Sequence, residues 1–132
     1  MNDATTEAVI RFDSGIPGFP GSRRFRLTAT NTDSAFQMLE SLDEDGVAVI
    51  VTEPWIWFGD YELDLDESDR AALELADAAD AAVMCTVTVD AEAGRAWTNL
   101  RAPIVVNTVS RAARQVVLGD EQPLRAVLPL EW

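Results

Sequence analysis

The amino-acid sequence predicts a mainly β fold: a small antiparallel, barrel-like β-domain with one or two short helices. Three features predict it. Arg24-Phe25-Arg26-Leu27-Thr28-Ala29 and Val83-Met84-Cys85-Thr86-Val87-Thr88-Val89 alternate along the chain, the period-2 signature of half-buried strands. Short apolar or β-branched runs at 47–51, 104–106 and 116–118 are separated by Gly, Pro and Asn turn residues at short spacing. One stretch alone, 65–76, has the composition of a helix. The 132 residues, 48% of them hydrophobic, are read as one domain over 1–132. A domain of this size buries roughly two-thirds of its unfolded surface, enough for a single core without disulfides or metal.

In chain order, residues 1–7 are polar and expected to be disordered. Ala8-Val9-Ile10-Arg11-Phe12 reads as the first strand. Gly15-Ile16-Pro17-Gly18-Phe19-Pro20-Gly21 holds three Gly and two Pro in seven residues, which fixes a rigid, turning loop. Its spacing lacks G-x-G-x-x-G and the Walker lysine, so it is no phosphate cradle. Phe19 on this stiff loop either plugs the core or presents an anchor to a partner. In the alternating stretch that follows, Phe25, Leu27 and Ala29 share one face and the two Arg the other. A turn at 31–34 leads to Ala35-Phe36-Gln37-Met38-Leu39-Glu40-Ser41-Leu42-Asp43. Val47-Ala48-Val49-Ile50-Val51 is the best candidate for a central strand, ended by Glu53-Pro54. Aromatic mass then concentrates at Trp55-Ile56-Trp57-Phe58-Gly59-Asp60-Tyr61. Trp57 and Phe58 are assigned to the core, while Trp55 and Tyr61 fit either core or a binding surface.

Residues 60–80 hold nine acids. Asp66 can cap the predicted helix, and acids in its first turn suit the helix dipole. A calcium loop starting at Asp64 would need Gly at its sixth position and Glu at its twelfth, where Asp69 and Leu75 stand; it fails both tests. Residues 83–89 form a strand, and Asp90-Ala91-Glu92-Ala93-Gly94-Arg95 is a hairpin-sized loop. The chain pairs back through Ala96-Trp97-Thr98-Asn99-Leu100. Pro103 has no N–H for a ladder and marks an edge or a change of pairing. Ile104-Val105-Val106 and Val116-Val117-Leu118 are core-filling strands, with Asn107 and Ser110 between them to satisfy turn backbone. Residues 124–130 form a short last strand, at an edge because of Pro129.

The net charge is −13, from 23 acids against ten bases, every one of them Arg; neither Lys nor His occurs. Such a chain is repelled by phosphate backbones and anionic lipid, which disfavours direct nucleic-acid or membrane binding and favours basic partners. Cys85, the sole cysteine, lies among apolar neighbours and is read as a small buried hydrophobe. Without His there is no imidazole base, no Ser-His or Cys-His nucleophile and no imidazole metal site. Acid–base work would fall to carboxylates, and no pair stands out. No cofactor or metal is expected. With no basic and apolar leader and no run of membrane-spanning length, the expected location is the cytoplasm.

Several blocks together resemble the flagellar assembly factor FliW family. "TNLRAPIVVN…RAARQVVL" from Thr98 resembles that family's "NL-x-APIVIN…R-x-A-x-Q-V-x-L", and Phe12 to Phe19 resembles "F-x-x-GIPGF". Phe36 to Asp43 resembles "F-x-x-L-x-S-x-D". Pro20 departs from the acid more usual in the family after that Phe. The blocks follow the family's order from Ile10 to about residue 130. The resemblance implies a β-barrel-like fold and a non-enzymatic protein with two partners. One is flagellin; the other is the RNA-binding translational regulator CsrA, antagonised when flagellin has left. An RNA-binding regulator must be basic, so an acidic antagonist gains encounter rate and orientation from complementarity. Flagellin's amphipathic terminal helices would need an apolar groove. Candidate contact residues in the matching blocks are Phe19, Phe36, Asp43, Asn99, Arg101 and Asn107, each with a structural role as its competing explanation. The alternative function is a carboxylate-based small hydrolase or a small-ligand-binding barrel.

Overall fold

Among the described residues nine strands hydrogen-bond into one sheet, and two α-helices of four and six residues lie among its connections. The computed structural model describes residues 8–12, 16, 19, 21–29, 35–119 and 121–129; the expectations for residues 1–7, Pro20 and the 31–34 turn lie outside them. Strands β1 (Ala8–Phe12), β2 (Arg24–Ala29), β3 (Phe36–Ser41) and β4 (Ala48–Thr52) form an antiparallel meander. Its register sets Ile10 against Phe25, Leu27 against Leu39, and Leu39 in turn against Val49. The period-2 pattern therefore stacks one apolar face across four strands. Phe12 packs edge-to-face on Phe25 at 5.4 Å in that core. On the opposite face Arg26 meets Glu40 at 3.7 Å.

Strand β5 (Ala81–Asp90) is ten residues long and pairs antiparallel with β4, with β6 (Arg95–Thr98) and with β7 (Ile104–Asn107). Strand β8 (Ala112–Gln115) joins β7 to β1, and β9 (Ala126–Val127) is the last strand on β6. Because β4 also bonds β5, the pairing runs in a ring-like circuit through β5, β4, β3, β2, β1, β8 and β7. Among the described residues every strand pairing is antiparallel except β1 with β8, which is parallel. Those two strands are a whole domain apart in sequence, so no tight hairpin dictates their direction.

The run at 116–118 does not extend β8 as a ladder. Val116 and Leu118 donate their N–H groups to the Pro103 and Arg101 carbonyls, 2.9 and 2.7 Å away. The facing segment is the irregular 99–103 stretch, where Pro103 is buried and has no N–H to return. Helix α1 (Pro54–Trp57) begins on a proline at its first position. Helix α2 (Glu67–Ala72) is shorter than the 65–76 stretch predicted. Asp66 caps it, accepting from the Asp69 N–H at 2.9 Å. At its other end Glu74 turns left-handed (φ 54°), with Leu75 bonding back to Arg70 and Glu74 to Ala71. This Schellman closure stops the helix so that Leu73 is buried and Leu75 packs against the same cluster.

Candidate protein-binding surface

The six residues singled out in the sequence occupy several separate places. Phe19 is half-buried against the main core, and its carbonyl accepts from Ser22 at 3.0 Å. Asp43 lies nearby, in the β3–β4 turn. Its carboxylate accepts the backbone N–H groups of Arg23 and Arg24, both at 2.8 Å, and the Arg24 guanidinium at 3.0 Å. Those backbone bonds, then the guanidinium, hold its carboxyl down to about 2. Phe36 stacks on Trp57 at 5.6 Å. Asn99 accepts from the N–H groups of Arg101 and Ala102 at 3.1 and 3.0 Å, folding the bulge between β6 and β7. Arg101 reaches from that bulge to the Gln122 carbonyl at 2.8 Å. Asn107 is buried: its amide donates to the Leu73 carbonyl at 2.9 Å, and its oxygen accepts from Val109 at 2.9 Å. It clips the end of α2 to the β7–β8 turn.

The surface with the most open chemistry lies instead on the stretch joining α1 to α2. Trp55 and Ile56 are 40% and 52% exposed. The Trp55 ring is fixed by an Nε1–H bond to the Tyr61 carbonyl at 2.8 Å and by edge contact with the Tyr61 ring. Beyond it, burial alternates: Tyr61, Leu63 and Leu65 turn inward, whereas Glu62, Asp64 and Asp66 are exposed. That is the course of an extended chain, here outside the sheet.

The two sides of this stretch border two depressions. An apolar hollow of about 360 Å³ is lined by Trp55, Leu63, Leu65, Leu75, Ala81 and Val83, with Asp64 and Arg70 at its polar margin. A cleft of about 510 Å³ is lined by Asp60, Glu62, Asp64, Asp66, Asp69 and Glu121, and across from them by the run from Val116 to Gly119. Asp64 lines both. Arg101 supports one end of the cleft, because Gln122 is part of its wall.

Charge within the cleft is uneven. Asp66 is held below the usual carboxylate range by the Asp69 N–H and the Ser68 hydroxyl. Asp69 is pushed up, mainly by burial and then by the neighbouring Asp66 charge, against the pull of Arg114 at 3.1 Å. Tyr61 is raised first by burial, its hydroxyl donating to the Leu100 carbonyl at 2.7 Å. Burial pushes the Cys85 thiol up to about 12, so it stays protonated. Among the described residues, no group of three or more Cys, Asp or Glu is placed to hold a metal ion. No helix among them is long and apolar enough to cross a membrane.

Sequence reasoning read these acids as the cap and first turn of a helix and missed the row at 62, 64 and 66. The signal was present: 61–66 alternates apolar and acidic residues with period 2, directly before the helix.

Comparison with known proteins gives the family. A family model described as FliW protein matches residues 2–128. The flagellar assembly factor FliW of Bacillus pumilus (strain SAFR-032) is 40% identical over 114 residues, covering 86% of this chain and 79% of the relative. That of Bacillus subtilis (strain 168) is also 40% identical, with coverages of 86% and 80%. That of Clostridium beijerinckii is 37% identical, with coverages of 86% and 81%. A crystal structure of the flagellar assembly factor FliW matches with a TM-score of 0.84 and 29% identity, covering 99% of this chain and 91% of that one.

Proposed function

This chain belongs to the FliW family of flagellar assembly factors, and we propose that it acts without catalysis, by holding flagellin and, when free, by binding and antagonising the translational regulator CsrA in the cytoplasm. The observation that carries this reading is the stretch from Trp55 to Asp66, which sets an exposed aromatic tip and an apolar hollow beside a row of acids. The hollow suits the apolar ridge of an amphipathic helix, as flagellin's terminal segments would offer. The acids suit a basic RNA-binding protein, and a net charge of −13 steers it in. Because Asp64 lines both depressions, the two partners compete in this reading. Of the residues singled out in the sequence, Arg101 is assigned to bracing the cleft wall through the Gln122 carbonyl. Phe19, Phe36, Asp43, Asn99 and Asn107 are assigned to supporting roles, since their groups are engaged within the fold. The carboxylate-hydrolase and small-ligand alternative is not favoured.

Calorimetric titration of purified flagellin and CsrA tests this directly. Ile56→Asp should lower flagellin affinity at an unchanged melting temperature. Glu62→Gln with Asp64→Asn should lower CsrA affinity and flatten its salt dependence. Unchanged affinity for both partners in both variants would overturn the assignment of the surface.

A further inference from the structure

We propose that Tyr61 is a positioning residue for partner binding: buried itself, it fixes the exposed Trp55 ring on the wall of the apolar hollow, so that flagellin meets an aromatic anchor already in place. This rests on the reading of the hollow as the surface that holds flagellin, and it specifies which group prepares that surface.

Trp55 is 40% exposed, yet the one polar atom of its side chain, Nε1, donates inward to the Tyr61 carbonyl at 2.8 Å. The rest of the ring is hydrocarbon, and it lines the hollow together with Leu63, Leu65 and Leu75. An exposed indole on a four-residue helix would ordinarily sample several rotamers, and ordering it during association weakens binding. Here the ring is held beforehand. The hydrogen bond and the edge contact that orient it, the latter with centroids 5.7 Å apart, both come from Tyr61. Rigid aromatic anchors of this kind carry a large share of the energy of an interface.

Tyr61 can serve as a post because it is gripped from the sheet side. It is 7% exposed and clusters with Cys85 and Leu100, against which Phe58 and Leu118 pack. Its hydroxyl donates to the Leu100 carbonyl at 2.7 Å. Leu100 lies in the bulge between β6 and β7, where its own N–H donates to the Pro123 carbonyl at 3.1 Å. The Asn99 side chain holds the next two N–H groups of that bulge. Residue 61 itself lies outside helix and strand, so no ladder fixes its backbone. Removing the hydroxyl leaves an aromatic ring in the cluster but releases residue 61 from the bulge, and Trp55 with it.

The test is a double-mutant cycle on the full chain, read by calorimetric titration with purified flagellin. Tyr61→Phe should weaken binding by about three- to tenfold, the effect of one hydrogen bond on the order of the anchor. That loss should vanish when Trp55 is already Ala, while the fall in melting temperature caused by Tyr61→Phe persists. A tyrosine that only supports the fold would weaken binding equally with or without Trp55, or not at all, and either result overturns the proposal. Fluorescence reads the anchor without a partner. Trp55 emission, taken as the difference between each protein and its Trp55→Ala counterpart, should become more open to acrylamide in Tyr61→Phe; unchanged quenching overturns the proposal. Trp55→Phe keeps a ring but removes the tether, and decides the matter if Tyr61→Phe does not fold. It should weaken flagellin binding by a similar factor, and wild-type affinity would overturn the proposal. If Trp55→Ala leaves flagellin affinity unchanged while quenching rises in Tyr61→Phe, the positioning of Trp55 is upheld and the assignment of flagellin to the hollow is wrong.

Discussion

Replacing Asn107 by Ala measures how far the attachment of α2 to the sheet depends on one buried amide. The substitution removes two short bonds, to the Leu73 carbonyl and from the Val109 N–H, both 2.9 Å. It also removes two longer ones, to Glu74 at 3.4 Å and from Ser110 at 3.2 Å. The Val109 and Ser110 amides are at an exposed turn and can rebond to water, whereas the Leu73 carbonyl belongs to a residue only 1% exposed. At about 1 kcal/mol for each short bond, plus the desolvation of one stranded carbonyl, the loss is about 2–4 kcal/mol. For a domain of this length that lowers the melting temperature by roughly 10 °C. Urea unfolding followed by circular dichroism reads the same loss as a shift in midpoint at unchanged slope. Asn107→Asp sharpens the test. It keeps the acceptor but sets a carboxylate against the Leu73 and Glu74 carbonyls, so its carboxyl is raised in the folded state and the variant regains stability as pH falls. An Ala variant that loses less than about 1 kcal/mol, or an Asp variant indifferent to pH, would refute the clip.

Three further outcomes follow from local geometry. The Asp43 carboxyl is held at about 2 in the folded chain, below its ordinary 3.8, so its contribution is present above about pH 4 and lost as pH falls towards 2. Asp43→Asn should flatten that acid limb in pH-dependent melting; an unchanged limb would sink the assignment. Glu74 is exposed and left-handed (φ 54°), so Glu74→Gly should stabilise by about 0.5–1 kcal/mol once glycine's own entropy is set against the relieved backbone, and a lower urea midpoint would contradict it. Cys85 is fully buried with its thiol pushed up to about 12, so iodoacetamide should label it only after denaturant is added. Labelling of the native chain at the rate of a free thiol would show otherwise.

The strands were legible wherever one face meets the core and the other meets water. Arg24–Ala29 alternates because Phe25 and Leu27 face the core while Arg24 is exposed, and the observed strand has the bounds read from the pattern. The 116–118 run was less legible, because its hydrophobicity is real but its partner segment contains Pro103. Apolar patterning reports burial and says nothing of whether the neighbour can return a hydrogen bond. The parallel pairing of β1 with β8 was not legible either, since it depends on closure between strands a hundred residues apart. Helix α2 was found but overextended. Ala and Leu favour a helix through 76, whereas burying Leu73 ends it early.

The proposed binding surface was the least legible part, for a reason that also gives it meaning. The six residues chosen from the family-like blocks include Asn99 and Asn107, whose amides fold turns, and Asp43, whose carboxylate caps two backbone N–H groups. Residues with such duties mark a block because the fold needs them, so a resemblance built on those blocks points first to architecture. A contact surface needs groups that the fold leaves unspent. Glu62 and Asp64 are exposed, and so is the Val117 side chain. Individually, an exposed acid and an exposed valine are unremarkable on an acidic protein. They acquire direction only together, when an exposed run and a row of charges border one cleft. That coincidence depends on tertiary structure, because the acids precede α2 and the exposed run follows β8, some fifty residues later.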